Sequence, residues 1–157
     1  MKKVDMIVKA PHFYTMEGEG VGYKTNVAMV VDGGKIIALE DVNEVNKEYV
    51  AEELIELDHH AIFPGFIDAH MHTGLAIMRG LAQDTNNWMM YGLQPFDNAV
   101  RKEEKDAGSR LAIIEAIKAG TTTFGDYETN MDSVCEFIHK VGVRGNITYT
   151  IREAIRR

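Results

Sequence analysis

The sequence predicts a mixed α/β chain, in which a β-rich amino-terminal region precedes a region of alternating strands and helices. Three observations lead to this prediction. Short apolar runs separated by glycine turns fill the first 60 residues, Pro64-Gly65 interrupts the chain, and strand-like runs then alternate with helical patterns. Such alternation implies a parallel sheet, whose functional groups gather at the carboxyl ends of its strands. We therefore expect one domain over residues 1–60 and a second over residues 61–157.

The amino-terminal region contains a strong hairpin signal. Apolar runs at residues 26–31 and 36–39 flank the segment Asp32-Gly33-Gly34-Lys35. Glycine adopts a positive φ at little cost, which a tight turn between paired strands requires. Residues 4–8 and 52–58 predict two further strands, the second at a sheet edge, with a short helical turn between them from residue 44.

The remainder predicts three strands joined by two regular helices and, after the first strand, by a long loop with a further helix around residues 78–88. The strands are expected at residues 66–72, 121–126 and 143–149, and the helices at residues 102–119 and 131–141.

The ends of both helices carry recognisable signals. Gly120 and Gly142 follow the last turns, and Asn130 is a suitable amino-terminal cap. In the first helix, Leu111 and Ile114 belong to an apolar stripe that predicts the buried face.

Charge and composition exclude several classes of protein. The net charge is −7, and no block of Lys or Arg is longer than two residues, so we expect neither nucleic acid nor a membrane as partner. No apolar run reaches 18 residues. The single cysteine, Cys135, cannot form an intrachain disulfide and fits a reducing compartment. These features predict a cytoplasmic protein.

The most informative segment contains two histidines in a strand that is predicted to be buried. Side chains alternate along a strand, so His70 and His72 point to the same side, with Asp68 one step before them. Two neutral imidazoles are half of a divalent-metal site suited to zinc, iron or nickel. A structural pair of histidines is the alternative. Catalytic zinc needs three protein ligands, and no other histidine of this chain is a convincing third one.

Other polar and aromatic residues are weaker candidates for a site. Asp126 lies at the carboxyl end of the second strand, where it either caps the next segment or supports a metal ligand or substrate. Asp97 and Arg152 are similar candidates. Trp88 and Tyr91 could line a pocket for a flat heterocycle, although aromatic residues at helical spacing are more often part of a core.

Three motifs resemble the amidohydrolase superfamily, which consists of metal-dependent hydrolases. The residues PGFIDAHMH at 64–72 resemble its strand-one signature. The residues MRGLAQD at 78–84, with Trp88, resemble the branch of 5′-methylthioadenosine/S-adenosylhomocysteine deaminases, guanine deaminases and triazine chlorohydrolases. The residues AGTTTFGD at 119–126 are similar to the second strand of that branch.

The resemblance implies a fold and a reaction. The fold would be the first strands and helices of a TIM (β/α)8 barrel, preceded by part of a small β-sandwich. His70 and His72 would ligate zinc or iron, and metal-bound hydroxide would deaminate a purine, a nucleoside or a related N-heterocycle. Release of chloride, or hydrolysis of a cyclic amide, is the alternative within the superfamily. Asp97 lies near the position at which the methylthioadenosine deaminases carry a glutamate that contacts the nucleoside ribose. Arg152 would be a shifted counterpart of the arginine that the same group carries just after its third strand.

The resemblance also implies that much of the active site comes from elsewhere. The other metal ligands and the glutamate that shuttles protons are expected beyond Arg157. Three strands cannot close a barrel that needs eight. We therefore expect the amino-terminal portion of a larger enzyme, or one half of a split one, that is inactive without its carboxyl-terminal part and could form a homo-oligomer. A truncated interaction module without catalysis is the alternative from another class.

Overall fold

The chain divides after Pro64 into two units, Met1–Pro64 and Gly65–Arg157. The computed structural model describes residues 1–128 and 131–150. The predicted helix cap at Asn130 and the candidate substrate contact at Arg152 lie outside these residues. Within the described ranges, no helix has the length and apolar character needed to cross a membrane.

The first unit is built from two small sheets and one short helix. Its elements are β1 (Lys2–Lys9), β2 (His12–Tyr14), β3 (Tyr23–Lys24), β4 (Val27–Asp32), β5 (Lys35–Asp41), α1 (Val42–Glu48), β6 (Tyr49–Glu56) and β7 (Ala61–Ile62). One sheet has the order β5-β4-β1-β6 and the other the order β3-β2-β7. The strand predicted at residues 52–58 is the edge strand β6, and it pairs in parallel with β1.

The predicted hairpin is confirmed. Strands β4 and β5 pair antiparallel and end in the pair Asp32–Lys35. Gly33 and Gly34 have φ values of 58° and 72°, the two positive values that a two-residue hairpin turn of this hand needs. The next element, α1, is capped by Asp41, whose carboxylate accepts the backbone N–H of Asn43 at 2.8 Å.

A compact apolar core holds the larger sheet together. It consists of Val4, Ile7, Ala28, Val30 and Val45, and none of them is more than 4% exposed. Ala28 and Val30 alternate with half-buried residues along β4, and Val4 and Ile7 are buried positions of β1. The first unit therefore folds around one face of its four-stranded sheet.

The second unit is a parallel sheet with helices in its connections. Its elements are β8 (Phe66–Met71), a 3₁₀ helix (Thr73–Met78), a π-helical turn (Met89–Leu93), α2 (Gln94–Ala99), α3 (Lys102–Lys118), β9 (Thr121–Glu128), α4 (Asp132–Val141) and β10 (Arg144–Tyr149). The strands have the order β10-β9-β8 and all run in parallel. The predicted alternation of strands and helices is confirmed, and Gly142 ends α4 in the left-handed conformation.

The second core lies between the sheet and helices α3 and α4. Ile113, Phe124, Met131, Val134 and Ile138 form it, and each is at most 8% exposed. Phe124 and Asp126 of β9 both point toward this helical side, since the residues between and after them are less buried. The opposite side of β9 carries Gly125 and Tyr127.

Two expectations about burial are wrong. Strand β8 is exposed along most of its length, with Ile67 73% accessible, because it is the edge strand and pairs only with β9 within the described residues. In α3, Leu111 and Ile114 are each 45% exposed. The buried positions are instead Gly108, Ser109 and Ile113. Glycine is favoured at position 108, because a Cβ on Gly108 would stand only 3.3 Å from the carbonyl oxygen of Gly74.

Candidate metal centre

His70 and His72 lie together where β8 ends. His70 is in the strand, and His72 is the residue between the strand and the 3₁₀ helix. Their ring centroids are 4.8 Å apart, and the ring planes are nearly perpendicular. The alternation of strand side chains brings the two imidazoles to one side, as the spacing predicts.

Tyr127 of β9 completes an aromatic group with the two histidines. Its ring centroid is 4.6 Å from that of His72 and 5.6 Å from that of His70. Both contacts are edge-to-face, a favourable arrangement for aromatic rings. The sequence analysis missed Tyr127, although strand alternation puts the residue after Asp126 on the side of β9 away from the helices.

Asp68 and Asp126 occupy different surroundings. Asp68 is exposed, and its Oδ1 accepts the backbone N–H of His70 at 3.1 Å. Asp126 is only 2% exposed and accepts hydrogen bonds from the backbone N–H and the hydroxyl of Thr73. Asp126 therefore binds the start of the segment after β8, whereas the sequence predicts a cap on the segment after β9. Thr73 also escaped the sequence analysis.

A cavity of about 250 Å³ lies next to His72. Two predicted residues, Trp88 and Asp97, line it together with Tyr127 and Glu128. Trp88 is half exposed, so it is not part of a packed core. The cavity combines aromatic surface, suited to a flat ring, with two carboxylates that can accept hydrogen bonds from hydroxyl groups.

Asp97 is held in place by a cation. Lys105 Nζ of α3 lies 2.7 Å from Asp97 Oδ1, and both side chains are about four-fifths buried. Lys105 also lies 6.0 Å from the centre of the Phe96 ring. The carboxylate at the cavity wall is therefore partly neutralised and fixed in orientation.

The histidine pair fits part of a metal site, but not a whole one. Two imidazole nitrogens suit zinc, iron or another transition metal. No group of three or more His, Cys, Asp or Glu that could hold a metal occurs among residues 1–128 and 131–150. Since a catalytic zinc site takes three protein ligands, further donors must join these two histidines before a metal is held firmly.

A comparison with known protein families agrees with this parallel β/α unit and the histidine pair at its carboxyl edge. Residues 61–153, more than half of the chain, match the model of the amidohydrolase family. The chain therefore belongs to the amidohydrolase family.

Individual relatives are similar over most of this chain. A 5-methylthioadenosine/S-adenosylhomocysteine deaminase of Pyrococcus horikoshii is 32% identical over 129 residues, covering 81% of this chain and 30% of the relative. A 5′-deoxyadenosine deaminase of Methanococcoides burtonii is 30% identical over 151 residues, covering 95% of this chain and 34% of the relative. The chain spans about a third of the length of the curated relatives it matches.

A solved structure shares the fold. The crystal structure of an adenosine deaminase from Xanthomonas campestris with bound zinc has a TM-score of 0.84 and 24% sequence identity to this chain. The match covers 92% of this chain and 33% of that protein. Because the match covers 92% of this chain, it includes residues of both units.

Proposed function

We propose that this chain supplies the first part of the active site of a metal-dependent deaminase acting on a purine nucleoside or a related N-heterocycle. The observation that carries the proposal is the His70/His72 pair at the end of a parallel strand, next to a cavity with aromatic and carboxylate walls. The names of the relatives support it, and so does the zinc bound in the crystal structure of the Xanthomonas campestris adenosine deaminase.

His70 and His72 would hold a divalent ion, with zinc favoured over iron. A metal ion in such a site supplies activated water near neutral pH. Each imidazole would donate the lone pair of one ring nitrogen to the metal. Tyr127 packs against both rings and limits their rotation, which preserves a common orientation.

The cavity next to His72 would bind the substrate ring and its sugar. Trp88 and Tyr127 offer apolar ring surface, and Asp97, fixed by Lys105, offers oxygen acceptors for ribose hydroxyls. In the reaction, water adds to the ring carbon that carries the amino group, and ammonia leaves. The adenine nucleosides in the names of the relatives are the substrate class we propose first.

The sheet β10-β9-β8 would be the first three strands of a (β/α)8 barrel. Its parallel order, and the exposed edge at β8, support this proposal. Five more strands, the missing metal ligands and a proton-shuttling carboxylate would come from a carboxyl-terminal segment or a second polypeptide. The first unit would be part of a small β-sandwich.

The test measures metal content and product together. In the complete protein, changing His70 and His72 to Ala should abolish stoichiometric zinc or iron in elemental analysis and should abolish ammonia release from adenine nucleosides. His139→Ala is the matched control, because His139 is exposed in the last turn of α4 and should retain both. Full metal content in the double variant would contradict the proposed metal site. Chloride release from triazines without ammonia release from any purine would contradict the proposed reaction.

A further inference from the structure

Three buried polar side chains form a cluster that begins at the residue after His72. Thr73, Ser109 and Asp126 are 1%, 5% and 2% exposed. They come from three different elements, the 3₁₀ helix, α3 and β9. A buried carboxylate costs free energy unless it is well hydrogen-bonded, so the way in which this cluster is satisfied shows what it holds in place.

The hydrogen bonds of the cluster run in one direction. Both oxygens of Asp126 lie 3.4 Å from the backbone nitrogen of Thr73, and Oδ2 also accepts the Thr73 hydroxyl. Thr73 Oγ1 is 3.0 Å from Ser109 Oγ. The hydroxyl of Thr73 has one hydrogen and a carboxylate only accepts, so Thr73 donates to Asp126 and Ser109 donates to Thr73. Asp126 is the acceptor on which the whole chain of bonds ends.

The same bonds fix the backbone directly after His72. His72 is the cap residue of the 3₁₀ helix Thr73–Met78, but its side chain makes no capping hydrogen bond. The first backbone N–H groups of a helix need an acceptor. An imidazole nitrogen used for capping could not at the same time bind a metal. Asp126, from the neighbouring strand, accepts the N–H of Thr73, the first residue of this helix, and so holds the backbone to which His72 is joined, while the imidazole of His72 takes no part in the cap.

We infer that Asp126, acting through Thr73, is a positioning residue that directs the His72 imidazole toward the metal it shares with His70. This inference rests on the proposed metal-dependent function. Asp126 lies on the helical side of β9, so it acts on the backbone at the end of β8 and not on the metal itself. Ser109 ties the same point to α3. Groups that orient metal ligands in this way typically change metal affinity 10- to 100-fold when they are lost.

The experiment uses the complete protein loaded with Co²⁺, whose visible absorption reports ligand geometry. Affinity is measured by competition with a chromophoric chelator. Asp126→Asn and Thr73→Val should each weaken Co²⁺ binding about 10- to 100-fold and alter the absorption spectrum. Thr73→Ser keeps the hydroxyl and should restore the wild-type affinity and spectrum. Ser133→Ala is the control. It removes a partly buried hydrogen bond from Ser133 of α4 to Asp106 of α3 and should leave Co²⁺ binding unchanged.

The outcomes separate this inference from the proposed function. Wild-type affinity and spectrum in both Asp126→Asn and Thr73→Val would overturn it, and so would an equal loss of affinity in Ser133→Ala. If Asp126→Asn does not fold, the contrast between Thr73→Val and Thr73→Ser decides in the same way. Loss of metal in His72→Ala, together with normal binding in Asp126→Asn and Thr73→Val, would leave the metal site standing and remove only the role of Asp126. A wild-type protein that takes up no metal would overturn both.

Discussion

Gly125 of β9 allows the two strands of the candidate site to approach each other. A Cβ at this position would stand 2.7 Å from the carbonyl oxygen of Ala69 and 3.3 Å from its carbonyl carbon. Both atoms belong to the backbone of β8, directly before His70, where the pairing of β8 with β9 is irregular. Backbone atoms cannot move aside as the end of a flexible side chain can, so β8 itself would have to shift.

Gly125→Ala should therefore destabilise the protein and disturb the metal site. We expect the free energy of unfolding to fall by about 1–3 kcal/mol, the usual cost of inserting a methyl group into a packed region. Denaturant unfolding and metal titration check this. Gly145→Ala in the adjacent strand is the control, because its new Cβ would meet only side-chain carbons of Ile138 and Ile147 at 3.0 Å. Equal losses in the two variants would show that the contact with Ala69 has no special effect.

Among the elements, an ion pair connects the loop after the 3₁₀ helix with α3. Arg79 Nη1 and Nη2 contact Glu115 Oε1 and Oε2 at 3.1 and 2.6 Å, a two-point arrangement. The hydrogen bond to Arg79 lowers the pKa of Glu115 below its ordinary value of 4.5. Arg79 lies in the segment that resembles the deaminase branch, so the pair indicates that part of this motif serves structure.

The coupling between Arg79 and Glu115 should depend on pH in a defined direction. Because the pKa of Glu115 is lower in the folded state, the stabilisation is fully present above about 4.5 and is lost as the pH falls through the lowered value. A double-mutant cycle with Arg79→Ala and Glu115→Gln should give a small favourable coupling at pH 7 that disappears in strong acid. The exposed pair Arg101–Glu104 is a suitable comparison, since it lies within one turn of α3 and connects no second element. A coupling that persists unchanged after acidification would contradict the ionic origin.

The sequence predicts those elements whose signals are local. The Gly33-Gly34 hairpin and the end of α4 at Gly142 both need a positive φ, which glycine adopts at little cost. The glycines and the residues beside them are therefore enough to predict both features. The buried face of α3 does not, because it is set by the close contact of Gly108 with the 3₁₀ helix rather than by the apolar stripe of Leu111. A stripe of apolar side chains shows that a helix has an apolar face, but it does not show that the covering element is present.

The candidate site likewise has features that the local sequence predicts and features that only the fold creates. The geometry of His70 and His72 follows from the two-residue period of a strand, which the sequence displays directly. The partner of Asp126 does not, since Thr73 is 53 residues away in the chain and only the fold brings them together. The same strand period puts Tyr127 on the side away from the helices, but its contacts with the two histidine rings depend on the pairing of β9 with β8, which the sequence does not display.

For the whole molecule, the second unit leaves apolar surface uncovered. Large apolar side chains with at least half of their surface exposed occur along β8, between residues 81 and 91, and at the end of β10. They are Phe66, Ile67, Leu81, Trp88, Met89, Met90, Tyr91 and Tyr149. Strands β8 and β10 each have one neighbour within residues 65–128 and 131–150. Parallel sheets are normally covered on both faces, and open strand edges pair with other chains. The exposed surface supports the proposal that further polypeptide covers these strand edges.

This surface predicts how the 157 residues behave when they are produced alone. The chain should bind a hydrophobic dye such as ANS and should associate as its concentration rises, because β8 and β10 can pair with edges of other copies. It should also bind metal more weakly than the complete protein, since His70 and His72 supply only two ligands. Sedimentation velocity, dye fluorescence and chelator competition on both proteins measure these three properties. A monomeric chain that binds no dye, holds stoichiometric metal and releases ammonia from a nucleoside would refute the proposal that further strands and ligands complete this site.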